Sequence, residues 1–253
     1  MGRKQLACLL LWGSGALAHA ACETGLAERM HAKLHPDRAL DHELAVCEPW
    51  RGNPGRFIVV LPMPTTSTTQ GVTRLDLDVL LVQQADNGNT ERAKIVSRLF
   101  QPDALKEDAV RISQIRVDTA RYALAPDTRA FGLRIARQGA SREAPYSNET
   151  LSLYVPRGPK LAKVLDSLEL LLEQGNWDSS CTGAFETVRG NLAIAHTESA
   201  GFADLTLRQT RSETRSSLQG EGCVTQEQPA TFRSILLRYD GSVYRISRRP
   251  AVD

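Results

Sequence analysis

The chain has 253 residues, of which 42% are hydrophobic, with 31 Lys+Arg against 29 Asp+Glu and five cysteines. That near-balance excludes a strong electrostatic hold on nucleic acid or on an anionic membrane. No segment supplies about eighteen uninterrupted apolar residues, so no transmembrane span is expected.

The first residues, MGRKQLACLLLWGSGALAHA, combine a basic start (Arg3, Lys4), an apolar stretch (Leu6 to Trp12) and a small-x-small pattern, Ala18-His19-Ala20. Residues 1–20 therefore read as a secretory signal peptide, and the expected compartment is the periplasm. Its removal takes Arg3 and Lys4 away and leaves the charges formally equal. Lipid anchoring through Cys22 is disfavoured, because His19 stands where a lipidation signal wants a Leu-like residue. Cys8 leaves with the leader. Cys22, Cys47, Cys181 and Cys223 remain, an even count that suggests two disulfides in an exported chain. Three pairings are open. Cys22–Cys47 and Cys181–Cys223 are favoured because each closes the shorter loop, and no Cys-x-x-Cys points to redox work.

GLAERMHAKLH near the mature start is the candidate helix. RFIVVLPMP reads as a buried strand stopped by prolines. TRLDLDVLLVQQ alternates, and the Asn87-Gly88 turn leads into ERAKIVSRLF. VRISQIRVDTARYAL turns at Pro126-Asp127 into RAFGLRIARQ. The polar loop Gly139 to Asn148 precedes ETLSLYVP. PKLAKVLDSLELLLEQG fits both helical and strand spacing, and its neighbours favour a short turn followed by a strand. GAFETVRGNLAIAHT, FADLTLRQTRSE and TFRSILLRYDGSVYRIS continue the strand pattern. Roughly a dozen strands predict an all-β fold: one large antiparallel domain over residues 21–253, a sandwich, barrel or small propeller. A sub-boundary near Gly175 is plausible. Asp240-Gly241 reads as a primed two-residue hairpin turn.

No serine-hydrolase elbow, phosphate loop or zinc-protease helix is present, and no nucleophile–base pair stands out. The chain is therefore expected not to be an enzyme. His31 and His35 share a helix spacing beside Asp41, His42 and Glu43, but a polar surface helix is the plainer reading. Asp76 and Asp78 are weak calcium candidates, calcium being the one cofactor left open. As residues of an alternating strand they read as a solvated face. Trp50 and Trp177 each sit near a cysteine and read as covers over disulfides. Arg121, Arg129, Arg134, Arg137 and Arg142 read as an exposed strand face. Within the Gly139–Asn148 loop, Arg142, Tyr146 and Asn148 are candidate contacts.

The run CEPWRGNP…FIVVLP…LDLDVLLV…DTARYALAPDTRAFGLRIA…SREAPYSNETLSLYV…GNWDSSC resembles periplasmic β-rich immunity and lysozyme-inhibitor proteins of Xanthomonas-type bacteria. Such inhibitors often present a Ser-Gly-x-x-Tyr loop to the enzyme cleft. Asp240-Gly241-Ser242-Val243-Tyr244 matches at Gly241 and Tyr244 and departs at Asp240, where serine is expected. The resemblance implies a periplasmic immunity protein that binds a lysozyme-like peptidoglycan hydrolase or toxin through Asp240, Gly241, Ser242 and Tyr244. Such a binder needs a stiff corner and no catalytic residue. The alternative is a non-catalytic cell-envelope binding module for calcium or a glycan, using Asp76, Asp78 and the tryptophans.

Overall fold

A computed structural model of the chain describes residues 25–65, 71–84, 90–178, 180–220 and 222–246. The signal peptide, Cys22 and the Asn87-Gly88 turn lie outside them. α1 (Leu26–Leu34) occupies the expected helix. Leu26, Ala27 and Met30 share its buried face, with Leu34 partly covered, the one-stripe pattern of a surface helix.

The next four strands form an antiparallel meander: β1 (Val46–Pro49), β2 (Arg56–Pro64), β3 (Thr73–Gln83) and β4 (Lys94–Glu107). From Phe57 onward β2 is apolar because both its faces are covered. Val59 and Leu61 meet α1, while Ile58 and Val60 enter a second core. That second core is completed by β5 (Val110–Ala125), β6 (Thr128–Gly139) and β7 (Tyr146–Arg157), which contribute Ile112, Ile115, Phe131, Leu133, Ile135 and Tyr154. Trp50 is buried in it, edge-on to Phe131 at 5.7 Å. Trp50 therefore caps a hydrophobic core, where a disulfide cover was expected.

β6 and β7 are themselves buried on both sides, while β5, largely exposed, gives its first half to the second core and its last residues to the next. Tyr122, Leu124, Ala130, Leu151, Leu153 and Val155 point into a third core. Its other wall comes from β8 (Lys160–Trp177), β10 (Phe202–Gln219), β12 (Thr231–Tyr239) and β13 (Tyr244–Ile246). β9 (Gly183–Ser199) lies between β8 and β10, and β11 (Gly222–Glu227) pairs with the far end of β10. The thirteen strands make one open, folded-over mixed sheet, neither a closed barrel nor propeller blades. The one parallel pairing among the described residues, Arg98 with Lys160, joins β4 to β8 where the β7–β8 turn meets β4. The Ser97 hydroxyl fixes that junction by donating to the Gly158 carbonyl at 2.7 Å.

The ambiguous segment is strand from Lys160 onward. Gly175 is an interior position of β8, and the third core takes residues from both sides of it. Beyond Leu170 and Leu207 the strands leave the core: β9 has no fully buried residue and β11 is exposed throughout. This wet extension of β8–β11 is an arm. Its outer end carries the Cys181–Cys223 disulfide, the one disulfide seen among the described residues where two were expected. Cys47 is not a free thiol. Among the described residues no helix is long and apolar enough to cross a membrane.

Candidate functional site

The β12–β13 corner is not the two-residue turn its Asp-Gly suggests. Tyr239 pairs with Tyr244, so four residues, Asp240 to Val243, form the loop. The Asp240 carboxylate organises it by accepting the Ser242 and Val243 amides at 2.9 and 2.8 Å. The Arg245 Nε donates to its other oxygen. The Val243 amide, then the Arg245 and Ser242 hydrogen bonds, lower the Asp240 pKa to about 2. Gly241 takes a φ of 96°, a left-handed conformation that glycine adopts freely. Gly241 and Ser242 are exposed at the tip.

Tyr244 is different. It is buried in the third core, with its ring 5.3 Å from that of Tyr239, and its hydroxyl donates to the Ala203 carbonyl at 2.7 Å. Burial, with the charges of Asp204 and Tyr239, raises its pKa. The side chain faces the wrong way to pack against an enzyme cleft. This corrects its assignment as a partner contact.

Asp76 and Asp78 also differ from expectation. Both are buried, because α1 and the chain after it cover their side of β3. Asp78 accepts from Arg98 Nε at 3.0 Å and lies 2.8 Å from His35 Nε2. Asp76 accepts from Arg38 at 2.7 Å and from the Asp103 amide at 2.7 Å, filling an irregularity between β3 and β4. The lone pairs that calcium would need are engaged by cations and an amide, so the pair is a buried ionic clasp and not a solvated face. Among the described residues no cluster of His, Cys, Asp and Glu could hold a metal.

The arginine-rich stretch is not uniformly exposed either. Arg121 and Arg142 are exposed, but Arg129, Arg134 and Arg137 are half-buried. Arg134 bridges Asp118 at 2.7 Å and Glu149 at 2.6 Å, and Arg116 reaches the other Glu149 oxygen.

The concave ground of the molecule lies on the arm. Residues alternate along β8, so Glu173, Gly175 and Trp177 face one side while Gln174 and Asn176 face the other. On the first side Gly175 pairs with Phe185, and a Cβ at Gly175 would sit 2.5 Å from the Phe185 ring. A Cβ at Gly183 would meet Trp177 at 3.0 Å and Phe185 at 3.2 Å. The two glycines therefore let both aromatic rings lie close to the sheet.

Two open depressions adjoin there and share Phe185 and Pro145 as their dividing wall. One, about 500 Å³, is bounded by Trp177, Arg142, Ser216, Thr225 and the disulfide. The other, about 310 Å³, is bounded by Gln138, Ser141, Tyr146, Ser147, Glu173 and Thr187. Trp177 is 38% exposed, and Arg142 makes no ion pair or hydrogen bond among the described residues. The floor is rigid. Asp178 accepts the amides of Ser180, Cys181 and Thr182 in the β8–β9 turn, and these bonds hold its pKa well below the usual carboxylate value. A third depression, about 420 Å³, opens on the opposite side, where Glu186 and Arg211 pair with one another at 2.7 Å.

Of the residues singled out in sequence, Arg142 borders the larger depression and Tyr146 the smaller, and Asn148 lies two residues further along β7. Asp240, Gly241 and Ser242 sit apart, in the β12–β13 corner. Phe185, Glu173 and Gly183 were not singled out, and Gly175 was read only as a sub-boundary. A glycine inside β8 and another opening β9, flanked by Trp and Phe, were the available signal. No known family matches the chain, and no curated protein or solved structure does either.

Proposed function

We propose that the chain is a non-catalytic binding module of the cell envelope whose ligand is a glycan, held along the groove that Phe185 and Pro145 divide. The observation that carries this reading is the adjoining pair of depressions. One offers the exposed Trp177 ring and the other a row of small polar side chains. Sugar rings present C–H faces to an aromatic plane and hydroxyls to flanking amides, hydroxyls and carboxylates, which is the mixture found here. The leader-like first twenty residues support an envelope location.

The test is sedimentation of the protein with purified peptidoglycan, with soluble wall oligosaccharides as competitors. Trp177→Ala is expected to weaken binding at least about tenfold, the worth of one good stacking contact. In the protein without residues 1–20, which carry Trp12, Trp50 is buried, so a ligand-induced change in tryptophan emission reports on Trp177. Binding that survives Trp177→Ala unchanged removes the groove from the account.

A second reading keeps the resemblance: a periplasmic immunity protein that blocks a lysozyme-like peptidoglycan hydrolase. It is favoured by the exposed tip, Gly241 and Ser242, braced from within by Asp240. Added to a wall-lysis assay with such a hydrolase, a blocking protein stops lysis at equimolar amounts whether or not Trp177 is present. A glycan binder at that ratio leaves lysis running.

A further inference from the structure

Arg137 is a half-buried cation on β6 with no carboxylate beside it. Its one hydrogen bond is from Nη1 to the Thr150 hydroxyl at 3.4 Å, at the long limit for such a contact. No other partner of its guanidinium is found among the described residues. Asn148 is its direct cross-strand neighbour on β7, and the Asn148 Oδ1 is buried with no partner. Two unsatisfied polar groups thus face each other across one strand pair. Burial lowers the Arg137 pKa, and the one charge close enough to oppose that effect is the Tyr146 phenol. A buried charge without a counter-charge is costly, and a buried polar atom without a partner is rare.

We propose that Arg137 and Asn148 form a binding site for an oxyanion, a carboxylate or phosphate group carried by a ligand. The guanidinium offers a planar fork of N–H donors that matches two oxygens of such a group. Turning the Asn148 amide by half a turn exchanges its oxygen and nitrogen, and the stranded acceptor becomes a donor to the same anion. Tyr146, two residues along the same strand, supplies a hydroxyl near the entrance. Asn148 pairs with Leu172 and Tyr146 with Gln174, so the site faces the side of β8 opposite Trp177; Tyr146 also borders the smaller depression, whereas Arg137 and Asn148 line neither.

The test uses the whole protein in chloride, acetate and phosphate at constant ionic strength. Wild-type unfolding temperature is expected to rise saturably with one of the two oxyanions. At about ten times the dissociation constant the rise should be about 3–5 °C. The Arg137 Nε–H resonance, assigned by its loss in Arg137→Gln, should shift along the same curve. Acetate and phosphate distinguish a carboxylate site from a phosphate site. Arg137→Gln should lose the response while matching or exceeding wild type in chloride. Asn148→Asp provides a second arm: a carboxylate at that position supplies the missing counter-charge, so it should stabilise the protein in chloride and abolish the anion response. Equal responses in wild type and both variants, or no response in wild type, overturn the proposal.

Discussion

Replacing Tyr244 separates a core residue from a contact residue. The side chain is 6% exposed, packs on Tyr239, which in turn stacks on Phe202 at 4.4 Å, and donates to the Ala203 carbonyl. Tyr244→Ala removes the ring and leaves a cavity, which costs about 3–5 kcal/mol for a buried aromatic. Tyr244→Phe keeps the ring and loses the hydroxyl bond, worth about 1 kcal/mol. In a chain of this size each kcal/mol lowers the unfolding temperature by about 2–4 °C. The alanine variant should therefore melt about 6–20 °C lower and the phenylalanine variant about 2–4 °C lower. Urea midpoints at unchanged slope give the same comparison. An alanine variant within about 1 kcal/mol of wild type would place the ring in solvent and refute the reasoning. Gly241→Arg adds strain at a φ of 96°. A double change at Gly241 and Tyr244 therefore reports on folding and not on partner binding, and Ser242 is the position at which to alter the tip.

Asp78→Ala should be strongly destabilising, because it strands His35 and Arg98 at the base of α1. Breaking a buried pair costs about 3–5 kcal/mol, and the partial exposure of Arg98 places this one near the lower end; a urea-measured loss under about 1 kcal/mol would show that the clasp is not structural. Asp240 gives the pH prediction. Its folded pKa of about 2 lies below the ordinary 3.8. The bracing it gives the corner is thus fully present above pH 3.8 and is lost as pH falls through about 2. A carboxyl titration followed by NMR should show that low midpoint, and an ordinary midpoint would mean the loop is not held by this side chain.

Much of the architecture was legible because strand periodicity is a local property. The α1 stripe, the Pro126-Asp127 hairpin and most strands follow from spacing alone. What covers each face is not local. Asp76 and Asp78 alternate correctly with Leu75 and Leu77, but their cover comes from His35 and Arg38, some forty residues earlier. β2 reads as apolar from Phe57 onward, and only the packing shows that its two faces serve two separate cores. Tyr244 was misread for a related reason. A Gly-x-x-Tyr pattern shows that a turn is followed by an aromatic, but inward or outward is set by register, and its pairing with Tyr239 turns it inward. The groove was least legible, since it assembles side chains from the β6–β7 connection and from four separate stretches of the arm.

The arm itself argues for a binding role. Strands wet on both faces bury little apolar surface, and ordering each of their residues costs about 1–2 kcal/mol of backbone entropy. β9 has no fully buried residue, and its Leu192 and Ile194 reach the third core only at the inner end, so local packing offsets little of that cost. The offset comes from elsewhere. The Cys181–Cys223 bridge spans 42 residues, and closing such a loop stabilises by about 4 kcal/mol in the chain-entropy model. Asp178 adds three amide hydrogen bonds in the adjoining turn. Both devices sit at the outer end, beside Trp177 and Phe185, and away from the three cores. A chain that needed only a stable core would gain little from stiffening that end. Stiffening it holds two aromatic rings and a row of polar side chains in fixed positions, which lowers the entropy lost when a ligand docks. Reduction of the disulfide should accordingly weaken ligand binding before it unfolds the cores.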